Sequence, residues 1–127
     1  MAEFPKDLLA LEKQFWTGDE AFYRENVDRS CLVAFAEMAG VMGNDEIAAT
    51  VRDGNRWTQL ELLARGFLQP TPDVALLTYE AKAERADGRP YRALVSTGYV
   101  RRGQAWKMTF HAETPLNDRQ ETVAAQG

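Results

Sequence analysis

A chain of 127 residues encloses one hydrophobic core and is too short for two ordinary domains. With 45% hydrophobic and 27% charged residues it is neither disordered nor repetitive. A net charge of -4, with no basic run longer than Arg101-Arg102, argues against nucleic acid or a membrane surface as partner. A lone cysteine, Cys31, forms no internal disulfide and suits a reducing, cytoplasmic setting. The opening MAEFPKDLLALEKQF is broken by Lys and Glu, unlike a signal peptide or membrane span.

Leu8, Leu11 and Phe15 recur at spacings of three and four, which predicts a helix begun at Pro5 and favoured by Asp7 in its first turn. Gly18 ends it and Asp19 caps a second short helix, EAFYRENV, carrying Phe22 and Tyr23. SCLVAFA reads as a buried strand with Cys31, Val33 and Phe35 on one face. GVMGNDEIAATVRDG predicts a third helix, with Asn44 as N-cap, Ile47 and Val51 one turn apart, and Gly54 as stop. From Trp57 the grammar changes. WTQLELLARGFL, VALLTYEAKAER, YRALVSTGYV and AWKMTFHAET are separated by turn-forming stretches and predict a four-stranded antiparallel meander.

These elements predict an α+β fold in one domain over residues 1–116, with helices on one face of the sheet and a frayed tail over 117–127. Strict alternation places Tyr91, Ala93, Val95, Thr97 and Tyr99 toward the helices, together with Trp106, Met108 and Phe110. The opposite face then carries Leu94, Ser96, Gly98 and Val100, with Lys107, Thr109, His111 and Glu113. That mixed, uncovered face predicts a homodimer through the outer side of the sheet. On the same alternation His111, the only histidine, is a surface or interface residue rather than a catalytic one. A one-residue change of register reverses that reading.

The segments LLALEKQFWTGD, GNDEIAATV, VALLTYEAKAERADG and YRALVSTGYVRRGQAWKMTFHAETP carry a resemblance over about Leu8 to Pro115. In element order the chain resembles the NTF2-like superfamily, the cone-shaped, cystatin-like α+β roll of ketosteroid isomerases and SnoaL-like cyclases. More narrowly it is similar to the small bacterial proteins of the DUF4440 family. The resemblance implies three N-terminal helices on a curved antiparallel sheet and a cavity between them. It implies no particular reaction.

For that cavity the candidate lining residues are Phe15, Trp16, Tyr23, Phe35, Met38 and Met42, then Trp57, Tyr79, Trp106 and Met108. This aromatic and sulfur-rich set suits a small apolar or aromatic molecule, while core packing explains each residue taken singly. Ketosteroid isomerases pair a carboxylate base with a tyrosine and a protonated aspartate. Carried onto this chain, the tyrosine falls near Glu12, the protonated aspartate near Thr97 and the base near Glu37. Glu37, if desolvated among Phe35, Met38 and Met42, is the candidate base of an isomerase, cyclase or dehydratase, with Tyr99 and Thr97 as candidate hydroxyl donors. Tyr23 and Tyr79 are further donors of the same kind. A third reading is a dimeric interaction module whose core is filled by its own side chains. No metal-ligand spacing, phosphate loop or nucleophile elbow occurs, so neither a metal nor another cofactor is expected.

Overall fold

The computed structural model describes residues 6–51 and 57–116. Helix α1 (Lys6–Thr17) is followed by α2 (Glu20–Asn26), then strands β1 (Val27–Phe35) and β2 (Met38–Gly43), a short α3 (Asn44–Ala49), and four long strands: β3 (Trp57–Thr71), β4 (Val74–Arg85), β5 (Pro90–Arg102) and β6 (Ala105–Leu116). The Asp19 carboxylate caps α2 by accepting from the Phe22 N–H at 3.0 Å. Gly18 permits the tight α1–α2 turn: a β-carbon there would stand 2.6 Å from the Phe22 ring and 2.8 Å from the Gln14 carbonyl oxygen.

The meander forms as its strand and turn pattern predicts, but it is part of a larger sheet. Six strands lie in the order β2-β1-β6-β5-β4-β3. Every neighbouring pair is antiparallel except β1 and β6, which run parallel. The segment MAGVMG, expected to lead into the third helix, instead pairs with Ser30–Phe35 as β2 through a two-residue turn at Ala36-Glu37. The third helix is therefore short and lies between strands, so only two of the three helices precede the sheet. Gly43, not Asn44, is its N-cap. The Asn44 amide leaves the helix and donates to the Arg24 and Val27 carbonyls at 3.0 and 2.7 Å. Pro5, Gly54 and the tail over 117–127 lie outside the described residues.

Alternation in β4 sends Ala75, Leu77, Tyr79, Ala81 and Ala83 inward, and in β5 Ala93, Val95, Thr97 and Tyr99. The small residues at these positions let Leu8, Phe15 and Trp16 of α1 approach the sheet, giving a core in two adjoining clusters. The alternation fails in β6. Tyr99 faces Met108 and Gly98 faces Phe110, so Thr109 is an extra residue, a β-bulge. The Thr97 hydroxyl donates to the Phe110 carbonyl at 3.0 Å, and that of Thr109 to the Ser30 carbonyl at 3.0 Å, anchoring the irregular stretch on both sides. Met108 still faces inward, but beyond the bulge the faces exchange: Phe110 turns outward and His111 and Glu113 turn in.

Candidate functional site

The inward turn of β6 joins a polar group that the sequence hides in an apolar stripe. On α1 the buried residues are Leu8, Glu12, Phe15 and Trp16, and Glu12 is 0% exposed. Its carboxylate is satisfied from the sheet: Tyr79 donates to Oε1 at 2.6 Å, and the Tyr99 hydroxyl donates to Oε2. Trp16 donates its indole N–H to the Tyr79 oxygen at 2.9 Å. His111 Nδ1 stands 3.5 Å from Glu12 Oε1, too far for a hydrogen bond, and makes none. The other ring nitrogen, Nε2, lies 2.8 Å from Glu113 Oε2, while Tyr91 donates to Glu113 Oε1 at 2.8 Å. An imidazole thus stands between two carboxylates, each held by tyrosine.

The electrostatics follow from that placement. Burial pushes the His111 pKa down, but the hydrogen bond to Glu113 and the charges of Glu12 and Glu113 outweigh it and hold the pKa above the ordinary histidine value. Tyr79 and Tyr99 are raised well above the usual phenol range, first by burial and then by the Glu12 charge, so both remain hydrogen-bond donors. The Tyr91 phenol rises for the same two reasons, with burial first and Glu113 next. Burial, aided by the charges of Glu12 and Asp28, pushes the Cys31 thiol up to about 12.

In front of this network is a cavity of about 490 Å³ between helices and sheet. Phe15, Trp16 and Tyr23 line it from α1 and α2, and Ile47, Thr50 and Val51 from α3 and the residues after it. The β1–β2 hairpin supplies Cys31, Val33, Phe35, Glu37, Met38 and Met42, while Trp57, Met108, His111 and Glu113 complete the wall. Its size falls in the range of small-molecule sites, and its walls are mostly apolar with a few polar groups gathered.

Among the sequence candidates, Phe15, Trp16, Tyr23, Phe35, Met38, Met42, Trp57 and Met108 come together around this cavity. Tyr79 lies behind the wall, hydrogen-bonded to Glu12 and Trp16, and Trp106 packs under the Arg101 guanidinium, 4.4 Å from its ring centre. Neither lines the cavity. Glu37 does, but from the exposed hairpin turn, where it is not desolvated as a base role required. Tyr99 and Thr97 are buried with their hydroxyls committed to Glu12 and to the Phe110 carbonyl, and neither faces the cavity. The Tyr23 hydroxyl donates to the Phe15 carbonyl at 2.5 Å.

The placement of His111 and Glu113 on the outer face is corrected by the bulge, which turns both into the cavity. The sequence reading also missed Glu12 as a site residue. The available signal was a carboxylate one helical turn from Leu8 and from Trp16, at a position that must be buried. Among the described residues no group of three or more His, Cys, Asp or Glu is disposed to hold a metal ion, and no helix is long and apolar enough to cross a membrane.

Compared with solved structures, the chain aligns with an NTF2-like protein of unknown function from Prochlorococcus marinus at a TM-score of 0.69, with 10% identity over 93% of this chain and 99% of the other. The fold is NTF2-like. A ketosteroid isomerase-like protein from Erwinia carotovora atroseptica gives a TM-score of 0.66 at 14% identity, over 87% of this chain and 91% of its own. The association domain of C. elegans CaMKII gives 0.64 at 16% identity, over 86% and 90%. No family model matches the sequence, and no curated protein does. At these identities the likeness is one of fold, and the NTF2-like cone hosts proteins with different names and uses.

Proposed function

We propose that this chain binds a small, largely apolar or aromatic molecule in the cavity of its NTF2-like cone, and does so as a homodimer. The observation that carries the reading is the cavity itself: about 490 Å³ of space walled by aromatic and thioether side chains, with His111 and Glu113 as polar groups in one wall. A core filled by its own side chains, as an interaction module requires, is harder to reconcile with that volume. The narrower kinship with the DUF4440 family belongs to this proposal and rests on the closing pattern from Tyr99 to Pro115.

The dimer is supported by a line of residues on the outer face. Val41 pairs with Leu32, Leu32 with Phe110, Phe110 with Gly98, Gly98 with Leu76 and Leu76 with Leu68, so one apolar row crosses all six strands. Val41, Leu68 and Leu32 are 69%, 59% and 50% exposed. A row of this kind is suited to burial against its own copy, because a two-fold axis matches a patch to itself. Glu80, on the same face, is already buried and neutralised by Arg65 and Arg92, so it presents no uncompensated charge to a partner.

A second reading, proton-transfer catalysis of the isomerase, cyclase or dehydratase kind, is favoured by the imidazole–carboxylate pair in the cavity wall. It would run through Glu113 and His111 in place of Glu37, Tyr99 and Thr97.

Native mass spectrometry of the freshly purified protein tests the proposal. A dimer carrying an additional small mass supports it. A monomer at micromolar concentration overturns the assembly, and absence of any bound mass after challenge with aromatic and steroid-like compounds overturns the binding role. Loss of turnover of the identified ligand in Glu113→Gln would move the assignment to the catalytic reading.

A further inference from the structure

The cavity's charge and its aromatic walls together specify a ligand class, an inference that rests on the binding role just described. We propose that the cavity takes an organic cation, an amine or quaternary ammonium group carried on an apolar body.

The charged side chains in the wall are Glu37, Glu113 and His111, and no lysine or arginine joins them among the described residues. With His111 protonated, one positive charge faces two carboxylates in the wall and a third, Glu12, directly behind it. With His111 neutral, the excess is larger. Among the described residues that line it, the wall is therefore acidic in either state, which disfavours an anionic ligand.

The imidazole nitrogens do not offset this. Nε2 is engaged with Glu113, and Nδ1 faces Glu12 from a position without solvent, so neither is directed as a donor toward an incoming anion. A neutral ligand escapes the repulsion and gains from the acids at most a hydrogen bond, about half as strong as the charge-assisted one an ammonium makes.

Glu113 stands at the aromatic end of the cavity, where the Tyr91 hydroxyl donates to its carboxylate at 2.8 Å. At that end Trp57 stacks on Tyr91 with ring centres 4.8 Å apart, and Trp16 meets Trp57 edge-on at 5.5 Å. Arg85 of this chain lies over both rings of the stack, 5.2 Å from the centre of Trp57 and 4.9 Å from that of Tyr91. The aromatic end wall thus already attracts a cation from within the protein, as the negative faces of indole and phenol rings do. A ligand ammonium in the cavity would meet the Trp16 and Trp57 rings that line it together with the Glu113 carboxylate, with Glu37 a second acid in the wall. Its apolar body would lie along Phe15, Phe35, Met38 and Met42.

Three probes of one shape separate the possibilities: phenethylammonium, phenethyl alcohol and phenylacetate, titrated into the full chain and followed by NMR of the Trp16 and Trp57 indoles. The expected result is that the ammonium binds about tenfold or more tightly than the alcohol, and that phenylacetate does not bind. Glu37→Gln, in an exposed turn, leaves the fold intact and reduces this preference severalfold, and Glu113→Gln reduces it further. Equal or tighter binding of the alcohol or of phenylacetate overturns the cation assignment while leaving the binding role in place. No indole response to any of the three overturns both.

Discussion

Replacing Glu12 with alanine tests whether the buried carboxylate organises the site. The change removes the acceptor of two tyrosine hydroxyls, those of Tyr79 and Tyr99, both 0% exposed and so without water as a substitute. Leaving a buried donor unsatisfied costs about 1–3 kcal/mol each, so the pair accounts for about 2–6 kcal/mol. A void between α1 and the sheet adds to this, while the gain in helix propensity returns only tenths. Against a typical total of about 5–15 kcal/mol the loss is large. Urea unfolding followed by circular dichroism reads it as a lower midpoint at an unchanged slope.

The control comes from the asymmetry between removing one partner and removing all. The triple variant Glu12→Leu, Tyr79→Phe, Tyr99→Phe abolishes two donors and their acceptor together and recovers part of the loss, the remainder being the bond from the Trp16 indole N–H to the Tyr79 oxygen that it also removes. An unchanged midpoint for Glu12→Ala, or a triple variant no more stable than the single one, would refute the reasoning.

The single histidine resonance makes His111 directly observable, and its NMR titration is expected above the unfolded value of about 6.5, moving down in Glu12→Ala and in Glu113→Gln. Since the folded pKa is raised, the contribution of His111 to stability is complete below about pH 6.5 and is lost as pH rises through the folded value; the stability gap between wild type and His111→Gln narrows accordingly. Cys31, 1% exposed with its thiol pushed up to about 12, resists alkylation in the native protein near neutral pH and reacts once urea unfolds the chain; rapid native labelling would contradict its placement. Leu76→Lys, at the middle of the apolar outer row, weakens self-association by about a hundredfold in sedimentation experiments, because a charge then has to be buried at the interface; an unchanged dimer would place the interface elsewhere.

Local pattern was enough for several parts of the molecule. The Asp19 cap, the Gly18 stop and the inward row of β5 depend on interactions within a few residues or on a period-two alternation, and they were legible from residue type alone. The aromatic and methionine lining was legible for a similar reason, since large apolar side chains have to face the interior.

Two features escaped that logic. MAGVMG has little to distinguish a strand from a helix approach, and only its pairing with Ser30–Phe35 decides the matter. The bulge at Thr109 is one extra residue between Tyr99 and Gly98 of the partner strand, stabilised by Thr97 on one neighbour and Ser30 on the other. Alternation read along β6 alone places His111 and Glu113 outside, and pairing with both neighbours puts both in the cavity wall, with His111 beside Glu12. The sequence by itself determined which side chains were available for a site. The tertiary structure decided which of them meet, because register is a property of paired strands and a shift of one residue exchanges the two faces.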